Sequence, residues 1–99
     1  MSGYILQRVQ QEGNERDENV NIPEGVYGID QGVFKNYKCI KKVHLPSSLH
    51  YISTEAFEGC ENLEEINIPS SITHISVDTF KNCKKLKSIT LPPSIKFIE

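Results

Sequence analysis

One interval constrains this chain more than any other property: apolar residues and prolines return every 23 positions. Val20, Val43, Ile66 and Ile89 keep that spacing, and so do Pro23, Pro46, Pro69 and Pro92. Ile29, Ile52, Ile75 and Ile98 form another such set, as do Phe34, Phe57 and Phe80. No insertion or deletion breaks the count from Val20 to Glu99. A period of this length, with apolar residues at fixed offsets, marks a solenoid whose coils stack and share a stripe of core. The expected division is an N-terminal cap or partly ordered segment over 1–19 and a repeat array over 20–99. The coils of that array are 20–42, 43–65, 66–88 and a partial 89–99.

Within a coil the order of residue types predicts the local structure. Leu63-x-x-Ile66-x-Ile68 alternates as a half-buried strand does. Pro69 lacks an N–H and ends it. Ser70-Ser71 turns the chain, and Ile72-x-x-Ile75 predicts a second short strand. The next segment reads as a single helical turn. Asp30, Ser53 and Ser76 stand at its start as N-cap types. Asn36, Gly59 and Asn82 stand at its end and tolerate the left-handed conformation. The phenylalanines inside that turn, with Cys60 and Cys83, are predicted to point inward, and Tyr37 takes the cysteine's place in the first coil.

This pattern of Leu-x-x-Ile-x-Ile-Pro, then Ile-x-x-Ile, then Phe-x-x-Cys resembles the BspA-like class of leucine-rich repeats. Ala56 precedes Phe57 as it often does in that class, with Thr79 and Val33 as variants. No asparagine ladder is expected after the first strand, where Pro-Ser-Ser stands instead. The resemblance implies a short right-handed α/β solenoid. Parallel strands would line the concave face, with second short strands and single-turn helices on the other sides. It also implies protein binding or adhesion, at a cell surface or in secreted form, with no catalytic residues.

Residues 1–19 fall outside the period, and Asp17 occupies a place that is Ile40, Leu63 or Leu86 elsewhere. Tyr4 to Val9 fits either a strand covering the first coil or one face of a helix. The opening residues are too few and too polar for a signal peptide. No apolar run is long enough to span a bilayer. With 11 basic against 13 acidic residues, the chain shows no footprint for nucleic acid. The three cysteines do not make a complete disulfide framework and are compatible with a reducing compartment.

Stacking places residues one period apart side by side. Glu18, Lys41, Glu64 and Lys87 then alternate in sign, as do Lys35, Glu58 and Lys81, and Lys38, Glu61 and Lys84. These rows are read chiefly as register devices, since like charges in a stacked row repel. His44, His50 and His74 share no stacked row and are not expected to hold a metal. Cys39 is expected exposed, with Cys60 and Cys83 in the core and not bridged. No cofactor motif is present.

The expected function is non-catalytic protein–protein interaction, the alternative being a self-assembling or spacer segment of a longer repeat protein. Candidate partner-binding residues are Lys42, His44, Glu65, Asn67, Ser88 and Thr90 on the first strand row, with Asn19 and Asn21 ahead of them. Tyr51, His74 and Phe97 form an outward aromatic row on the second. The last coil stops after its second strand, which predicts a longer parent or a homodimer through that open end.

Overall fold

The computed structural model describes residues 4–6, 16–76, 78–87, 89, 92–93 and 97–98. Two parallel sheets run along it. Strands β2 (Asn19–Asn21), β4 (Lys42–His44) and β6 (Glu65–Ile66) form the first, in that order. Strands β1 (Tyr4–Leu6), β3 (Val26–Ile29), β5 (Tyr51–Ile52), β7 (His74–Ile75) and β8 (Phe97–Ile98) form the second. The register follows the sequence period. Val20 pairs with Val43 and Val43 with Ile66. Ile29, Ile52, Ile75 and Ile98 fall in line on the other sheet by way of β3–β5, β5–β7 and β7–β8.

Of the two readings of the N-terminal segment, the strand is the one observed for Tyr4–Leu6. It adds to the edge of the second sheet, with Ile5 opposite Gly28 and Leu6 opposite Ile29. Residues 7–15, including the rest of the expected strand, lie outside the described residues.

The third side of each coil departs from the expected helix: no helix occurs among the described residues. Over 53–60 the chain makes successive turns, in which the N–H groups of Ala56, Glu58 and Cys60 bond carbonyls three residues back. The reason is a left-handed residue near the start of each segment: Gly32 (φ 67°), Glu55 (φ 63°) and Asp78 (φ 65°). A helix needs consecutive right-handed residues, so one left-handed position resets the chain into separate turns. The closing residues Asn36 (φ 64°), Gly59 (φ 77°) and Asn82 (φ 63°) are left-handed, as their types predict.

These turns make a third ladder. The N–H groups of Phe34 and Asn36 reach the carbonyls of Ala56 and Glu58 in the next coil at 2.9 and 2.8 Å. Those of Phe57 and Gly59 reach Thr79 and Lys81 at 3.0 and 2.9 Å. Backbone groups on all three sides of a coil therefore find partners in its neighbours.

The core fills the space between the three ladders. Phe34, Phe57 and Phe80 stack with nearly parallel rings, centroids 5.3 and 5.8 Å apart. Tyr37 is buried with its ring edge-on to Phe34 at 5.5 Å. Ile29, Ile40, Leu49, Ile52, Leu63 and Ile72 are buried to 1% exposure or less. Burial on this scale supplies the main favourable term for so small a domain.

Side chains add a further set of ties. Ser48 Oγ accepts the Gly25 N–H at 3.0 Å and donates to the Val26 carbonyl at 2.8 Å. Ser71 Oγ donates to the Leu49 carbonyl, one period on. The second serine of each Pro-Ser-Ser turn thus fastens its coil to the preceding one.

Candidate interaction surface

The first sheet presents a concavity of about 400 Å³, lined by β2, β4, β6 and Asn67. Val20, Val43 and Ile66 turn inward to the core, and the alternation of the short strands turns Asn19, Asn21, Lys42, His44 and Glu65 outward. All five of these outward residues are exposed. Lys42 Nζ lies 3.7 Å from Glu65 Oε2 across the β4–β6 pair, so the surface carries both signs as a matched pair. The sequence rows of alternating charge did not include this contact.

Asn67 is held differently from its neighbours. Its Oδ1 accepts the Leu45 N–H at 2.8 Å and its Nδ2 donates to the Leu45 carbonyl at 3.1 Å. Asn67 therefore clamps the preceding coil singly, since His44 stands one period before it and Thr90 one period after. Ser88 and Thr90 lie outside the described residues.

On the second sheet Tyr51 aligns with His74 and His74 with Phe97, as the aromatic row requires. Tyr51 is half-buried because its ring lies over Gly28, where any side chain would collide with it. Burial first, then the charge of Asp30 and the nearby Tyr27, push the Tyr51 phenol above its usual pKa. His74 is exposed, with Nδ1 2.9 Å from Thr73 Oγ1. The side chain of Phe97 lies outside the described residues.

Sequence reasoning passed over Tyr27, the most exposed large apolar side chain among the described residues, at 38% exposure. Its ring stacks on His50 with centroids 4.4 Å apart and meets Tyr51 edge-on at 6.0 Å. Tyr27 and His50 stand one period apart, so the repeat itself carried the signal. His50 Nδ1 also lies 2.8 Å from the Ser48 carbonyl oxygen.

The charge rows are formed in part. Glu61 reaches Lys38 at 3.4 Å and Lys84 at 3.9 Å, and Glu18 reaches Lys41 at 3.8 Å. Lys35 departs from its row and pairs with Glu55 at 3.1 Å. That hydrogen bond, with the charges of Glu55 and Glu58, raises the Lys35 ammonium above its ordinary pKa.

All three cysteines are free, with Cys39 exposed, Cys60 buried and Cys83 half-buried. Burial pushes the Cys60 thiol up to about 12 and the Cys83 thiol up to about 11. Both are therefore weaker nucleophiles at neutral pH than an exposed thiol. Among the described residues no three His, Cys, Asp or Glu side chains gather as a metal site. No helix there is long and apolar enough to cross a membrane.

Comparison with known proteins settles the family. Residues 13–99 match the BspA type leucine rich repeat region (6 copies). The chain belongs to the BspA-type leucine-rich repeat family. Solved structures of leucine-rich repeat proteins share its fold. A leucine-rich repeat protein from Bacteroides ovatus is 37% identical, with a TM-score of 0.78 over 81% of this chain. The leucine-rich repeat protein of T. pallidum is 28% identical, with a TM-score of 0.87 over 98% of it. A leucine rich cell surface protein from Faecalibacterium prausnitzii is 26% identical, with a TM-score of 0.56 over 75%. The chain spans 23%, 46% and 32% of those three proteins respectively. No curated protein matched. BspA-type repeats are in general non-enzymatic scaffolds for protein interaction.

Proposed function

We propose that this chain is a non-catalytic protein-binding module that receives its partner on the concavity of the first sheet. The observation carrying this reading is the concavity itself, along which Asn19, Asn21, Lys42, His44 and Glu65 turn outward. A set of amides and one matched ion pair suits a polypeptide surface of mixed polarity better than a polyanion. Adhesion at a cell surface is the proposed setting, supported by the surface protein of F. prausnitzii among its relatives. One face of three short strands falls below the ~800 Å² per partner of a standard interface. The complex is therefore weak by itself or is completed by further coils.

A photo-crosslinking side chain at position 44 tests this reading. It should capture a protein from the native surroundings of this chain, while the same probe at position 58 on the turn side should not. The adduct should vanish with Asn21→Arg and Lys42→Glu. Equal capture from both positions would leave the concave face without a special role. Capture from neither would favour the second reading, a spacer segment, which the small share of each solved relative also supports.

A further inference from the structure

The second sheet carries a cluster of aromatic rings, apart from the surface proposed on the first. Val26 and Ile29 point into the core from the first coil, and Leu49 and Ile52 from the second. Two neighbouring positions are left for the outer face of each coil: Tyr27 with Gly28, then His50 with Tyr51. Glycine at 28 makes room for the Tyr51 ring, whose hydroxyl end lies over it. Tyr27 stands edge-on to Tyr51 and stacks on His50. Strand β1 passes Tyr27 by. It sets Tyr4 against Val26 and the next residue, Ile5, against Gly28, so Tyr27 is the extra residue of a bulge. A bulge re-aims the side chain it carries, and here it leaves an exposed ring.

Charge says what fits these rings. Segments 23–30, 46–53 and 69–76 build this side of the first three coils, and none of the chain's 11 lysines and arginines lies in them. Their two carboxylates are Glu24 and Asp30. Glu24 is committed to Ser47, accepting from its N–H at 3.0 Å and its hydroxyl at 3.2 Å. The Asp30 carboxylate has no hydrogen-bond or ion-pair partner among the described residues. It follows Gly28 by two residues, and its charge adds to burial in holding the Tyr51 phenol above its usual pKa. Lys96, next after Thr73 in the column of Tyr27 and His50, lies outside the described residues.

We propose that the outer face of the second sheet binds an arginine-bearing polypeptide segment, its guanidinium stacked on the rings of Tyr27 and Tyr51 and paired with Asp30. The faces of these rings attract a cation, and the unpaired carboxylate supplies the opposite charge. Arginine suits the site better than lysine, because a planar guanidinium stacks on a ring while its fork reaches a carboxylate. The cluster spans two coils about 4.8 Å apart, so it receives one or two side chains of an extended segment. A neutral sugar also stacks on such rings but leaves the charge of Asp30 unanswered.

The test follows backbone amide signals by NMR while an alternating arginine–glycine hexapeptide is added to the full chain. A matched peptide carries citrulline, the neutral isostere, in place of arginine. The arginine peptide should move the signals of residues 27–30 and 50–52, and the citrulline peptide should bind about tenfold more weakly or worse. Tyr27→Leu and Asp30→Asn should each weaken binding about fivefold, whereas Tyr27→Phe, which keeps a ring, should stay within about twofold. Glu58→Gln with Glu64→Gln, in the acidic second coil, should leave binding unchanged. Absence of shifts at these residues, equal binding of the two peptides, or dependence on Glu58 and Glu64 rather than Asp30 would overturn the proposal. So would a neutral cello-oligosaccharide that moves the same signals as strongly.

Discussion

The thiol of Cys60 donates to the carbonyl of Phe34, 26 residues earlier, at 3.2 Å. Cys83 repeats the contact with the carbonyl of Phe57, also at 3.2 Å. The cysteine of each repeat is therefore more than a small apolar filler: it ties its turn to the phenylalanine of the coil before. Burial and that role both favour the protonated thiol.

The thiols consequently link stability to alkaline pH. The Cys60 pKa is raised in the folded chain from 9.0 to about 12. The unfolded chain releases this proton first, so the stabilisation is complete below about pH 9 and is lost as pH rises toward 12. Cys60→Ala should flatten the fall in Tm across that window while lowering Tm at neutral pH. Under native conditions at pH 7.5, Cys39 should react with a thiol reagent well before Cys83, and Cys83 before Cys60. Equal rates at the three sites would contradict the burial described above.

Stacking predicts unequal costs along the phenylalanine row. Phe57→Ala should cost about 3–5 kcal/mol, since Phe57 has a ring on each face and no exposure. Phe80→Ala should cost clearly less, because Phe80 is only partly buried. Denaturant unfolding of the two variants measures the difference, and equal losses would refute it.

Asn67 offers a test of the amide clamp. Asn67→Ala removes both bonds to Leu45 and should cost about 1–3 kcal/mol. Asn67→Asp keeps an acceptor for the Leu45 N–H but sets a second oxygen against the Leu45 carbonyl. It should recover less than half of the loss at neutral pH. Full recovery would mean that the donor half of the clamp contributes nothing.

Left-handed positions give a prediction of opposite signs. Gly32 has room for a methyl group, its nearest neighbour in that direction being Lys35 Cβ at 3.9 Å, so Gly32→Ala should lose about 1 kcal/mol through backbone conformation alone. Asp78→Gly should gain a similar amount at the same place in the third coil. Glu55→Gly should gain less, because it also gives up the ion pair with Lys35. Thermal melts of the three variants check the order.

Much of this fold was legible because its period is unbroken. Val20, Val43 and Ile66, or Ile29, Ile52 and Ile75, could be paired by counting, and the pairs are the observed register. What counting missed has physical causes. The turn side was read as helix because Asp, Ser, Asn and Gly suit its ends, whereas the deciding position holds Gly32, Glu55 and Asp78, of which Glu55 gives no notice of a positive φ by its type. Lys35 was assigned to Glu58 by column, but long side chains choose among several partners within reach. The concave surface was legible in outline as outward-facing positions. The commitment of Asn67 to Leu45 was not, since an exposed column does not show which polar atoms are already bonded.

The ties between coils have one more property: the sequence distance they bridge hardly varies. From the Lys35–Glu55 pair to the Cys60–Phe34 bond they span only 20 to 26 residues. The entropy lost on closing a loop grows with the logarithm of its length, so each coil closes at nearly the same cost wherever it lies. A formed coil is then a template on which the next can settle, and growth of the array adds contacts without adding longer loops. Folding of such a chain proceeds as a zipper that any adjacent pair of coils can start, with a rate governed by that first pair rather than by total length.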